Sequence, residues 1–139
     1  MSTREHIFLT DLDAIRLRSM ARQLIGGRGD PRLLGEELFD MLDSAVVVPA
    51  NAITADVVTM NSTVTYEDET GRRETLTLVY PDKADASRGH VSVLAPLGRQ
   101  LIGARAGDRV TFEAPGSGIR SVRICGIEYQ PEAAGDWTL

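Results

Sequence analysis

Cysteine is nearly missing from this chain of 139 residues: Cys125 is the only one, which excludes an intrachain disulfide and any Cys-rich metal site. Histidine is as scarce, with His6 and His90 far apart and at no ligand spacing; both read as surface residues. No apolar run approaches the ~20 residues that cross a bilayer, and the opening MSTREHIFLTDLD lacks the basic, apolar and small-residue order of a signal peptide. The expected location is therefore the cytoplasm, with no membrane partner. Excess positive charge is also missing. A net charge of -5 argues against direct, sequence-specific DNA binding, which needs clustered Lys and Arg against phosphates.

What is present suffices for one domain of ordinary size, with 42% apolar residues for a core and charge spread along the chain. The charge is polarised. Up to Arg32 six arginines face four acids, whereas Leu33 to Gly71 holds eight acids and neither Lys nor Arg, a distribution suited to a protein partner.

Thr10 followed by Asp13 resembles a capping box, and Leu12, Ile15, Leu17, Met20, Ala21, Leu24 and Ile25 keep helical spacing. The first helix is expected over 11–25. GGRGDP then breaks it, with Gly26 or Gly27 as a left-handed C-terminal cap, Asp30 as N-cap and Pro31 opening a second helix over 31–45. Leu34, Leu38, Met41, Leu42 and Ala45 make one stripe for packing along the first. The result is an antiparallel hairpin with arms roughly 22 Å long and its tip at Gly26 to Asp30. Beyond Pro49 the runs DVVTM, STVTYED, ETLTLVY, GHVSVLA, DRVTFEA and SVRICGIEY predict an antiparallel sheet. Leu97 to Ile102 is its one helical candidate, framed by Gly98 and Gly103 for close approach and a left-handed exit. The fold class is thus α+β: a helical hairpin over 1–48 and a sheet domain with one short helix over 49–139.

No catalytic constellation emerges. Ser117 lies in Gly116-Ser117-Gly118, a hairpin turn without the Gly-x-Ser-x-Gly frame, and the tip glycines lack the Lys-Ser or Lys-Thr of a phosphate-binding loop. Cys125 reads as a buried, inert thiol. Trp137 is expected to pack back over the sheet.

The segment Ser92 to Tyr129 carries a resemblance. With Ser92, Pro96-Leu97-Gly98, Leu101-Ile102-Gly103, Gly107-Asp108 and Ile127-Glu128-Tyr129, it resembles the C-terminal, FKBP-like domain of the Gre transcript-cleavage factors. DLDA at 11–14, DVVTMNS at 56–62, TLVYP at 77–81 and EYQPEAAGDW at 128–137 are similar to one branch of that family, the regulators of nucleoside diphosphate kinase. The resemblance implies a factor that docks at the rim of the secondary channel of RNA polymerase through Ser92, Pro96 and Leu97, with the tip residues Arg28 and Asp30 facing the channel. Read alone, Pro96 is equally a strand terminator and Leu97 a core residue.

The sequence departs from the Gre pattern in three places. Gre factors hold a catalytic magnesium with a pair of acids on a longer hairpin, whereas this tip has Asp30 alone on shorter arms. Leu94-Ala95 stands where they commonly place Asp-Ser, and Lys83-Ala84-Asp85 where they tend to have Glu-Ala-Asp. Polymerase binding without cleavage, no enzymatic activity and no cofactor or metal are the expectations. The branch also implies a link to nucleoside diphosphate kinase, direct through the acidic face Glu36, Glu37, Asp40 and Asp43, or by way of transcription. FKBP-like folds include prolyl isomerases, but their aromatic-walled pocket is hard to build from Phe8, Phe39, Phe112, Tyr66, Tyr80, Tyr129 and Trp137.

Overall fold

A computed structural model describes residues 7–136; His6 and Trp137, and with them the expectations for those two side chains, lie outside the described residues. The described residues open with strand β1 (Phe8–Thr10), helix α1 (Asp11–Ile25), helix α2 (Asp30–Ser44) and strand β2 (Val46–Val48). Thr10 caps α1, its Oγ1 accepting from the backbone N–H of Asp13 at 3.1 Å. Ala14, Leu17 and Ala21 form the buried stripe of α1, facing Leu38 and Leu42 of α2. Ile15, expected in that stripe, is 67% exposed, because it falls to one side of the i, i+3, i+7 line on which the other three lie.

Three details of the hairpin differ from expectation. Gly26 ends α1 in right-handed geometry, φ −66°, and the left-handed residue is Gly29, φ 68°. Asp30 is the first helical residue rather than the cap: the N-cap is Gly29, and no side chain bonds the free N–H groups. Asp30 instead faces the helix dipole from the first turn, where a negative charge is favourable. Finally, β1 and β2 pair in parallel, Leu9 opposite Val47, so the hairpin arms are joined at their base by a small sheet that the sequence reading lacked.

The larger sheet comprises β3 (Thr63–Asp68), β4 (Arg73–Val79), β5 (His90–Ser92), β6 (Arg109–Ala114) and β7 (Gly118–Tyr129), in the order β5-β4-β3-β7-β6. It is mixed, not purely antiparallel: β4 and β5 run parallel, with Leu78 opposite Val91, because the two short 3₁₀ turns between them carry the chain back across the sheet end. Helix α3 (Pro96–Leu101) buries Leu101 with Ile102 just beyond it, and α4 (Pro131–Ala134) follows β7. The predicted strand at 56–60 does not form. Val57, Val58, Thr59 and Met60 are buried, but the pairing stops at one antiparallel bridge, Val57 with Arg105: Val58 bonds to Gly103 and Ala104, while Met60 donates to Asp13 and the next residue, Asn61, donates to the carbonyl of Leu78. A run of β-branched residues reports burial as readily as pairing. Cys125 is half-buried, not buried, since the inward alternation of β7 falls on Val122 and Ile124 and leaves it on the opposite face.

Leu9, Leu17, Leu38 and Leu42 from the hairpin join Val58, Met60, Val64, Leu78, Ile102 and Ile124 in one apolar cluster. Glycine permits the closest approach in it. A Cβ on Gly98 would sit 2.1 Å from the carbonyl oxygen of Ser92, and one on Gly103, φ 78°, would sit 2.6 Å from Cβ of Ile7. Gly98→Ala should therefore destabilise the fold by at least about 3 kcal/mol in urea unfolding. Gly126→Ala, whose Cβ meets nothing within 4 Å, serves as the control, with a change of less than about 1 kcal/mol.

Candidate functional site

The residues singled out by sequence form two separate surfaces. Arg28 and Asp30 are exposed at the tip, in no ion pair among the described residues. The tip is stiffened from behind by Arg32, whose Nη1 donates to the Ile25 carbonyl at 3.2 Å. Ser92, Pro96 and Leu97 lie together at the start of α3, all half-buried. Ser92 is committed to local structure, its Oγ accepting from Leu94 N–H at 3.0 Å and its carbonyl from Ala95 N–H at 3.0 Å. Pro96 opens α3, and Leu97 packs against the core while keeping part of its surface free.

Helix α3 also braces the hairpin. Arg99 Nη1 donates to Glu37 Oε2 at 2.5 Å, an ion pair between the middle of α2 and the sheet domain. From Glu37 to Asp30 is two helical turns, so the tip stands only about 10 Å beyond this brace.

Sequence reading missed the polar joint at the base of α1. Asp13 was assigned to a capping box, but its carboxylate does not turn back to Thr10. It accepts from the backbone N–H of Met60 at 3.0 Å through Oδ2, and from the Tyr80 hydroxyl at 3.4 Å through Oδ1. Asp13 is 4% exposed. Burial pushes its pKa up to about 6, the neighbouring charge of Glu132 adding to it and the Met60 bond opposing it. Tyr80 is raised as well, by burial and then by the Asp13 charge. Around this joint, Thr59 Oγ1 donates to Glu132 at 2.7 Å, and Gln130 Nε2 donates to the carbonyls of Thr54 and Val57 at 2.8 Å each. The 54–62 segment, buried over residues 57–60, is thereby tied both to α1 and to the end of β7. The one sequence signal for this was the acid itself, set beside Thr10 at a position where a capping box accounted for it.

Among the described residues no group of three or more His, Cys, Asp or Glu converges as a metal site, and no helix is long and apolar enough to cross a membrane. A short, braced helical hairpin is mounted on a curled mixed sheet, and the side chains singled out by sequence are spread over two surfaces. Comparison with known proteins gives the family. Residues 53–129 match the family model described as "Transcription elongation factor, GreA/GreB, C-term". The chain is 37% identical over 142 residues to the "Regulator of nucleoside diphosphate kinase" of Escherichia coli (strain K12), with 99% of each chain covered. It is 36% identical over 95 residues to transcription elongation factor GreA of Rhodopseudomonas palustris (strain TIE-1), covering 68% of this chain and 60% of that one. A solved structure described as "Prokaryotic transcription elongation factor GreA/GreB from Nitrosomonas europaea" superposes with a TM-score of 0.73 at 38% identity, covering 88% of this chain and 99% of that one. The chain belongs to the GreA/GreB transcription elongation factor family, and is a regulator of that elongation-factor type.

The joint has a pH signature. With the folded pKa of Asp13 above its ordinary 3.8, the folded protein binds more protons than the unfolded chain between about pH 4 and 6, so this group's contribution to stability falls as pH rises through that window. The loss is on the order of 2–3 kcal/mol. Asp13→Asn should flatten the fall, measured as urea midpoints at pH 4.5 and 7; an unchanged pH dependence would contradict the assignment.

Proposed function

We propose that the protein binds RNA polymerase at the rim of the secondary channel through the Ser92–Pro96–Leu97 surface, with its hairpin tip directed inward, and that it does not stimulate transcript cleavage. The observation that carries this reading is the tip: Asp30 is its one carboxylate, on 15-residue arms braced at Glu37. A magnesium ion held for catalysis wants more than one carboxylate from its anchor, and an arm extending about 10 Å past its brace has little reach. Occupying the channel needs neither. Half-buried apolar surface at Pro96 and Leu97, beside exposed polar groups, suits a protein interface of modest size.

The name of the Escherichia coli relative favours a second reading, direct binding to nucleoside diphosphate kinase through the acids of α2. Three of those acids already have partners: Glu36 with Arg32, Glu37 with Arg99 and Asp43 with Arg18. Of the four acids on that face, Glu36, Glu37, Asp40 and Asp43, Asp40 alone lacks an ion pair among the described residues, which leaves a weaker surface than the sequence suggested.

Pull-down of core RNA polymerase at low salt, with a GreA factor as competitor and backtracked complexes to score cleavage, separates these readings. Association displaced by the competitor, with cleavage at background, is the expected result. Failure to associate at micromolar concentration would overturn the polymerase reading, and cleavage above background would overturn its second half.

A further inference from the structure

Two grooves adjoin where α1 leaves the sheet. The larger, about 860 Å³, runs between α1 and the turn at 80–83, with an apolar lining from Met20, Leu24, Leu94 and Tyr80. Arg16 lies over the Tyr80 ring, 5.9 Å from its centroid. The smaller, about 450 Å³, opens at the ends of β3, β4 and β5, where Lys83, Arg88 and His90 stand beside the hydroxyl-bearing Thr63 and Thr77. Asn61 and Lys83 line both, so the grooves share a wall and form one bent trough. Asn61 holds that wall in left-handed geometry, φ 67°, the one such non-glycine among the described residues.

The two arms differ in chemistry. The larger is an apolar slot with an aromatic ring in its wall and sits within the usual range of small-molecule sites, about 300–1,000 Å³. The smaller gathers cationic and hydrogen-bonding groups on a protein whose net charge is -5. Two carboxylates border the trough, Asp82 and Asp85. Asp85 is engaged, accepting from the Ser87 N–H at 3.0 Å and Oγ at 2.6 Å and lying 3.7 Å from Arg88 Nε. Lys83 has no ion-pair partner among the described residues, and it is the only lysine in the sequence.

We propose that this trough binds a small phosphorylated molecule with a planar, largely apolar body, the chemistry of a nucleotide. The phosphates lie over Lys83 and Arg88, a point charge and a planar fork that both suit phosphate oxygens, with the Thr63 and Thr77 hydroxyls beside them. The ring system enters the larger arm against Tyr80, Met20 and Leu24. Neither arm alone accounts for the site, since a bare phosphate leaves the slot empty and an uncharged ring leaves Lys83 unpaired.

The single lysine makes the test direct. Reductive methylation with ¹³C-formaldehyde keeps its charge and gives one side-chain NMR signal for Lys83, which is followed while GDP, guanosine and inorganic pyrophosphate are each added to the full chain. GDP should move the signal saturably at or below about 1 mM, with pyrophosphate and guanosine at least tenfold weaker. Arg88→Glu and Leu24→Ser, two exposed or half-buried positions on opposite arms, should each weaken GDP about tenfold while leaving the melting temperature near that of the parent. No saturable shift with GDP up to about 10 mM would overturn the proposal. So would pyrophosphate binding as tightly as GDP, or affinity that neither variant changes.

Discussion

The fold turns on one buried carboxylate. Asp13 sits in the first turn of α1, almost out of solvent, and reaches across to the Met60 N–H and the Tyr80 hydroxyl. Without that pair of bonds the Arg99–Glu37 pair and the bond from the Phe8 N–H to the Gly103 carbonyl would still join hairpin and sheet domain, but the first turn of α1 would rest on apolar contacts, and these are non-directional. Leu17, Ala21, Leu38 and Leu42 supply the adhesion. The carboxylate supplies the angle, because a hydrogen bond to a charged acceptor is directional and leaving it unmade in the interior is costly. Everything proposed for the tip depends on where α1 points.

A second constraint acts farther along. The Arg99–Glu37 pair joins α3 to the middle of α2, so the hairpin is held at its base by Asp13 and partway up by Arg99. Ordinarily an ion pair with one partner 64% exposed contributes little to stability. Its value here is geometric. The same helix that presents Pro96 and Leu97 also grips the arm, which couples the surface proposed for docking to the direction of the tip.

Much of this was legible in the residues. Helical period, a Thr cap and the glycine-rich break gave both arms to within a residue, and glycines 98 and 103 marked the close packing of α3. What failed did so for identifiable reasons. The 56–60 run has strand composition but answers to burial, with its hydrogen bonds drawn from separate loops. The β1–β2 pair joins segments of three residues each, too short for any periodicity to register. The parallel course of β5 depends on two 3₁₀ turns that look like ordinary loop. The Thr10 cap on the Asp13 N–H is legible as a local pattern, whereas the contact of the Asp13 carboxylate with residue 60 is not. The tip residues and the Ser92–Pro96–Leu97 surface were placed by family likeness, and their separation in space follows only from the fold.

The order of strands in the sheet sets how the chain comes together as it is made. The hairpin is built from neighbours, its two arms and both strands of its small sheet falling within residues 8–48. At the centre of the larger sheet, by contrast, β3 pairs with β7, Thr63 opposite Tyr129. That pairing spans nearly half the chain, and closing so long a loop must precede any gain from the contact. On the ribosome the arms can therefore form early, while the β3–β4 hairpin waits with one flank of β3 open until β7 has emerged. For that interval the exposed strand edge is the part of the nascent protein open to pairing with the wrong partner.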